Sequence, residues 1–206
     1  MTFKNCFNRH ISIISERDSL AWAIIHTMLG EIPQSNPEKK EVLDDNARKF
    51  IVEAIDPALL DSSEASSFIL ATDWLETSET NEKKLAHKTF DNGDIQILLI
   101  VKITKDGNRT SEKTKISEEE YTGLLESSVL HIEKKRYEFT YAQNDIHFSM
   151  KYDEFTDGQL KILEVDAESA EERDTFNPEL FPGDLSEVTG NTAYYGYRVA
   201  SILQDL

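Results

Sequence analysis

Apolar and polar positions alternate most regularly in three stretches of the second half of the chain, which span residues 134–141, 147–153 and 161–169. Alternate side chains of an extended segment point to opposite faces, so each stretch is predicted to be a β-strand with one charged and one apolar face. The apolar faces are rich in aromatic residues. The charged faces carry Lys134, Arg136, Glu138, Lys151, Asp153, Glu164 and Asp166.

If the charged faces of these strands align, the sheet has a charged concave interior and an apolar exterior. Such a sheet inverts the usual barrel, and helices are needed to cover its outside. The predicted fold class is therefore α+β: an antiparallel β tunnel or barrel with helices packed on the outside.

The rest of the chain supplies further elements of the same kind. Strands are predicted at residues 48–55, 67–75, 95–103 and 109–116, and a last short strand at 187–189. The Asn-Gly sequence in Asp91–Asp94 favours a tight hairpin turn. Ser117 and Glu120 have the spacing of a capping box, which predicts the start of a helix. Residues 194–206 are predicted to form a closing helix.

Residues 1–43 differ from the remainder and are predicted to form an N-terminal helical extension, followed by one domain at 44–206. Within the extension, residues 18–32 place apolar side chains at helical intervals, and Pro33 ends the pattern. Such a helix could act as a lid, join two subunits, or pack on an apolar face of the main domain.

Charge limits the classes of partner. The 206 residues carry a formal net charge of −17, which argues against a nucleic-acid or anionic-membrane binder because the field repels phosphates. The single cysteine, Cys6, excludes an internal disulfide framework. Neither a signal peptide nor a bilayer-spanning apolar run is apparent. We expect a cytoplasmic monomer or homodimer with a small anionic ligand and no nucleic-acid or membrane partner.

Four short motifs, in order and with compatible spacing, resemble the CYTH superfamily of triphosphate tunnel metalloenzymes. They are Lys134-Lys135-Arg136, Tyr152-Asp153-Glu154-Phe155, Glu164-Val165-Asp166 and Glu187-Val188-Thr189. The resemblance implies an eight-stranded antiparallel tunnel with helices outside. It also implies hydrolysis of a small triphosphate, inorganic, thiamine or nucleoside, or cyclisation of ATP, with Mg²⁺ or Mn²⁺.

The first half of the chain matches this family less completely, so its N-terminal motif is degenerate. Ala47 stands where the family has a second acid, and Ala86 where it has an arginine. The positions that match are Asp45 and Lys49 in the first strand, Lys88 and Lys102 in the next two, Arg109 and Glu112 after them, and Glu187 near the end.

The chemistry of a triphosphate explains these residue types. Several negative charges in a short length call for opposing cations, and arginine can bind phosphate oxygens through two parallel hydrogen bonds. Mg²⁺ prefers carboxylate, water and phosphate oxygens. The expected substrate-binding residues are Lys49, Lys88, Lys102, Arg109, Lys134 and Arg136, of which Lys49, Lys102 and Arg136 are expected to act in catalysis. The expected metal ligands are Asp45, Asp153, Glu164 and Asp166, supported by Glu112 and Glu187.

Two functional hypotheses remain open. The first is a metal-dependent triphosphatase, which the retained acids and cations favour. The second is a weak or inactive tunnel that binds a nucleotide or polyphosphate, which Ala47 and Ala86 favour. The charged strand faces could also be ordinary solvated surfaces. An adenylyl cyclase is a third outcome, but nothing in the chain indicates a purine pocket.

Overall fold

Nine antiparallel β-strands form one continuous sheet in the part of the chain that the structure describes. The computed structural model describes residues 47–204 except 63, 79, 106–107 and 156–157, with only the backbone of 104–105 and 108–110. The strands are β1 (Arg48–Ile55), β2 (Ser66–Thr77), β3 (Asn81–Phe90), β4 (Ile95–Lys105), β5 (Asn108–Lys115), β6 (Leu130–Gln143), β7 (Ile146–Phe155), β8 (Lys161–Asp166) and β9 (Gly183–Glu187). Their order is β5-β4-β3-β2-β6-β7-β8-β1-β9. The predicted antiparallel fold is confirmed, with nine strands where eight were expected.

The helices are short: α1 (Pro57–Leu60), α2 (Glu118–Leu125), α3 (Ala170–Asp174) and α4 (Gly196–Gln204), with 3-10 turns at Pro178–Leu180 and Thr192–Tyr194. The predicted capping box is present at the start of α2. The last strand ends at Glu187 instead of beginning there. None of the helices in the described residues is long and apolar enough to cross a membrane. The predicted extension at 1–43 lies outside the described residues.

A two-residue turn fixes how β6 pairs with β7. Asn144 and Asp145 have φ angles of 53° and 63°, the left-handed conformation that both central residues of a type I′ turn require. Gln143 therefore faces Ile146, and counting back along the ladder brings Arg136 opposite Asp153. A slip of one residue would send every side chain of one strand to the other face. The turn thus determines which charges meet in the interior.

The hairpin between β3 and β4 forms at the predicted Asn-Gly turn. Gly93 has a φ angle of +87°, a conformation that glycine adopts without strain. The Phe90 amide donates to the Asp94 carbonyl at 2.9 Å. The resulting register places Gln96 opposite Lys88.

An apolar cluster covers the outer face of β1, β6, β7 and β8. Phe50, Met150 and Tyr152 are fully buried there. Their cover comes mainly from Phe176 and Phe181 of the connection between α3 and β9, with Phe176 lying 5.6 Å from the Phe50 ring. Full burial of one such side chain is worth about 1.5–3 kcal/mol. The expected cover is present, but a loop supplies most of it.

The inner face is closed at one end by a second apolar cluster. Its strand residues come from five consecutive strands, β2, β6, β7, β8 and β1. On the same face, Arg136 of β6 lies 3.7 Å from Glu164 of β8 although β7 lies between them, so the sheet is strongly curved there. Val199 and Ala200 of α4, with Tyr194, pack against the cluster. We call the five inner-face residues of this cluster the floor: Ile51, Trp74, Ile132, Phe155 and Ile162.

Candidate functional site

Four strands each place a charged residue two positions beyond the floor, on the same inner face. Because alternate side chains of a strand share a face, these four charges surround the space directly above the floor. We call them the inner ring: Lys49 on β1, Glu164 on β8, Asp153 on β7 and Lys134 on β6.

Asp153 is the most heavily bonded carboxylate of this ring. Its side chain is only 2% exposed. Arg136 donates to both of its oxygens, from Nε at 2.6 Å and from Nη2 at 2.7 Å, and Lys134 Nζ lies 2.5 Å from Oδ2. The two-pronged arginine pair fixes the orientation of both groups. Two cations thus share one buried carboxylate.

Glu164 joins the two sides of the ring. Its carboxylate lies 3.3 Å from Lys49 Nζ and 3.7 Å from Arg136 Nη2. Burial disfavours the charged form of Glu164, but the positive charges of Lys49, Arg136, Lys134 and Lys151 outweigh it and hold the pKa well below its ordinary value. Glu164 is therefore ionised at neutral pH.

The two cations of β6 respond differently to burial. Burial lowers the pKa of Lys134, although Asp153 opposes the change. For Arg136, burial also disfavours the charge, but Asp153 and Glu164 outweigh it and raise the pKa. Arg136 is consequently a fixed positive charge, whereas Lys134 gives up its proton more readily than an exposed lysine.

A further step of two residues gives a second level, the outer ring: Ala47 directly before β1, Asp166 on β8, Lys151 on β7 and Arg136 on β6. Lys88 of β3 faces this level. Burial lowers the pKa of Lys88, and the charges of Glu138, Arg136, Lys113 and Lys151 all act on it. Lys88 Nζ lies 4.5 Å from the centre of the Phe68 ring on β2, and Phe68 stands opposite Arg136 of β6, so Lys88 lies close to the outer ring.

The structure thus brings together five of the expected site residues, Lys49, Lys134, Arg136, Asp153 and Glu164, and places Lys88 and Asp166 beside them. Asp166 is half-buried, and its carboxylate accepts a hydrogen bond from the Ala167 amide at 3.0 Å.

Other expected site residues lie elsewhere. Lys102 faces Glu82 in the ladder, six residues along β4 from the position opposite Lys88, which is roughly 20 Å at about 3.4 Å per residue. Glu112 is exposed and pairs with Val101, so it points away from the face that carries Lys113. Glu187 is on the outer face, where Arg48 binds both of its oxygens at 2.7 and 2.9 Å. Asp45 and the side chain of Arg109 lie outside the described residues.

Sequence reasoning left Lys151 out of the predicted site. This residue lies directly between Glu138 and Glu164 in the ladder, and its charge lowers the pKa of Glu164. The signal was available in the sequence. Phe148, Met150 and Tyr152 form the apolar face of the strand, and Lys151, which alternates with them, lies on the charged face. No family motif marked it.

The described residues alone do not form a metal site. Nowhere in the described ranges do three carboxylate, histidine or cysteine groups come close enough to hold one metal ion. The reason is visible at Asp153, whose oxygens are both occupied by Lys134 and Arg136. Asp153 and Glu164 pair with cations, so the donor set does not fit Mg²⁺ or Mn²⁺ without Asp45 or a rearrangement.

A pocket of about 380 Å³ lies on the opposite face of the sheet. Ile69, Lys135, Glu154 and Lys161 line it, one from each of four adjacent strands. Lys135 and Arg136 are neighbours in one strand and point to opposite faces. The lining also includes Lys134 of the inner ring and Phe155 of the floor, so the pocket borders the lower part of the charged interior.

Comparison with known proteins supports the fold. No family model matches the chain, and no curated protein matches it. Among the solved structures that resemble it are the inorganic triphosphatase NE1496, with a TM-score of 0.50 and 21% identity over 75% of this chain and 92% of that one, and the hypothetical protein NE1496, with a TM-score of 0.49 and 22% identity over 75% and 95%. At these identities the likeness concerns the fold alone, and the chain shares the tunnel-like antiparallel fold of NE1496.

Proposed function

We propose that the chain binds a small triphosphate compound in its charged interior and hydrolyses a phosphoanhydride bond there. The observation that carries this proposal is the buried cluster of Lys49, Lys134 and Arg136 with Asp153 and Glu164. Burying charges is costly, and well-packed apolar residues would often be at least as stable in the same place. A buried cluster with more than one arginine or lysine on a concave face is well suited to a polyanion.

The chain's own residues would bind and orient the phosphates. Arg136 presents a planar group that suits two phosphate oxygens, and Lys49 and Lys134 act as point charges. Arrangement of cations around the transferred phosphoryl group stabilises the charge that spreads over its oxygens in the transition state. A similar fold in a protein described as an inorganic triphosphatase supports the same reaction class.

A requirement for Mg²⁺ or Mn²⁺ stays a prediction that rests on the family resemblance. A bound metal would neutralise phosphate charge and activate water. Because Asp153 and Glu164 are paired with cations in the structure, phosphates would have to take over those cations before the acids could bind a metal.

The test is release of orthophosphate from inorganic triphosphate, thiamine triphosphate and ATP, each with Mg²⁺, with Mn²⁺ and with chelator. Arg136→Ala and Lys135→Ala, purified in parallel, exclude a contaminating phosphatase. Release that is lost in Arg136→Ala and retained in Lys135→Ala supports the proposal. Equal release from all three proteins would refute it.

The alternative function is a binding module without turnover. Ala47 favours it, since this buried residue directly precedes β1, at a position where the family carries an acid. Absence of phosphate release, together with a higher melting temperature in inorganic triphosphate, would select this alternative. If the protein shows no turnover and no shift in melting temperature, both functions are refuted.

A further inference from the structure

The interior has a closed end and more cations than acids. The floor is apolar and is sealed by α4, the inner ring above it pairs two cations with two acids, and the outer ring carries Arg136 and Lys151 against Asp166. Lys88 lies over the ring of Phe68, the residue opposite Arg136, and so faces this outer level. Arg136 also bonds both acids of the inner ring, and Glu138 stands opposite Lys151. Over both levels the described cations outnumber the described acids: Lys49, Lys88, Lys134, Arg136 and Lys151 against Glu138, Asp153, Glu164 and Asp166.

We infer that Lys151, together with Lys88, forms an outer phosphate subsite, and that a linear phosphate chain enters with its terminal phosphoryl group next to the floor. The inference rests on the proposed function and specifies the orientation of its ligand. Lys49 and Lys134 then meet the terminal group, Arg136 the group behind it, and Lys151 and Lys88 the part that points away from the floor.

The position of Lys151 supports the assignment. In the ladder it stands opposite Glu138 on one side and Glu164 on the other, so its ammonium group is on the inner face. Lys88 Nζ lies 4.5 Å from the centre of the Phe68 ring, and Phe68 stands opposite Arg136, so the three cations lie on neighbouring parts of one face. Arg136 and Lys151 both lower the pKa of Lys88 by repulsion, while Glu138 raises it. Such repulsion is relieved when an anion with several charges binds between them.

The orientation has a consequence for the class of ligand. A chain that enters against a closed floor can be reached only at its end, so successive terminal phosphoryl groups are removed and internal bonds are spared. The remainder of the ligand points away from the floor, so longer phosphate chains and organic triphosphates fit as well as inorganic triphosphate. We therefore assign the site to the ends of linear polyphosphates and to triphosphate esters.

The test measures affinity by calorimetry for orthophosphate, diphosphate, inorganic triphosphate and inorganic tetraphosphate. Lys151→Ala is compared with wild type and with Lys161→Ala, which removes a lysine of similar exposure from the outer face of the adjacent strand. We expect Lys151→Ala to lower the affinity for triphosphate and tetraphosphate about tenfold or more, which corresponds to one lost charged hydrogen bond. Orthophosphate should change less than twofold, and Lys161→Ala should match wild type.

Each other outcome has a defined meaning. If wild type binds and hydrolyses no triphosphate, the proposed function fails. If wild type binds triphosphate and Lys151→Ala equals Lys161→Ala, the proposed function stands and the outer subsite is refuted. Equal weakening of orthophosphate and triphosphate by Lys151→Ala would refute the orientation. If Lys151→Ala fails to fold, Lys151→Gln replaces it, since glutamine keeps most of the side-chain length and removes the charge.

Discussion

Removal of the charge on Asp153 should both destabilise the protein and increase its response to a polyanion. The Asp153→Asn substitution keeps the shape of the side chain and leaves Lys134 and Arg136 with one fewer partner. Loss of one partner from a buried ion pair costs about 3–5 kcal/mol. Three charged contacts converge on this carboxylate, but Glu164 still attracts both cations, so we expect the cost to stay within that range.

The melting temperature is the convenient measurement. For a chain of this size, 1 kcal/mol lowers the melting temperature by about 2–4 °C, so the variant should melt roughly 6–20 °C below wild type. Inorganic triphosphate can supply the missing negative charge. At saturating triphosphate the variant should therefore recover more degrees than wild type gains.

Asp184→Asn is the matched control, because Asp184 is exposed on β9 and should change stability by less than about 0.5 kcal/mol. If Asp153→Asn had the same melting temperature as this control, the ion pairs of Asp153 would not stabilise the fold. If the variant were destabilised but gained no more from triphosphate than wild type, the two cations would not face the ligand.

Three further predictions concern the same interior. Arg136→Ala should weaken the affinity for triphosphate, measured by calorimetry, about tenfold to a hundredfold, because a charged hydrogen bond is worth about 1.5–3 kcal/mol. Lys135 points to the outer face, so Lys135→Ala should have little effect. Equal losses of affinity in the two variants would mean that the register of β6 is wrong. Since the pKa of Glu164 is lowered on folding, its stabilisation is fully present above the unfolded pKa of about 4.3 and declines as the pH falls below that value. In urea titrations from pH 7 to 3, the free energy of unfolding should fall less steeply with decreasing pH for Glu164→Gln than for the exposed control Glu168→Gln. Equal dependence on pH in the two variants would contradict the pairing. Ala47→Glu should tighten Mn²⁺ binding in calorimetry at similar thermal stability if the first strand follows the family pattern, whereas unchanged binding with lower stability would refute that alignment.

Local alternation was sufficient to identify one side of the interior. Polar and apolar positions alternate over residues 136–140, 147–153 and 163–167, so Arg136, Asp153 and Glu164 were expected on one face, and the structure has them there. A tight turn joins β6 to β7, so their register depends on residues close in sequence. In such a hairpin, the local sequence pattern is therefore enough to predict which side chains share a face.

Features that depend on distant segments were not predictable in the same way. Lys102 was expected near the other cations, but the register of its hairpin places Gln96 opposite Lys88. Nothing in the apolar run of β4 distinguishes one inward position from the next, so only the length of the turn decides. The outer cover by Phe176 and Phe181 has no periodic pattern either, because it comes from an irregular connection.

The position of β1 has a consequence for how the chain folds. β1 lies between β8 and β9, and its hydrogen bonds reach residues 139 and 140 positions later in the sequence. At about 5–20 residues per second, a ribosome needs roughly 7–28 s to make that length of chain. The hairpins β2–β3 and β3–β4 can pair during that interval, whereas β1 has to wait with its apolar residues uncovered. Newly made chains therefore pass through a stage in which the first strand depends on chaperones or on its own solubility, and the cationic side chain of Lys49 joins the interior last.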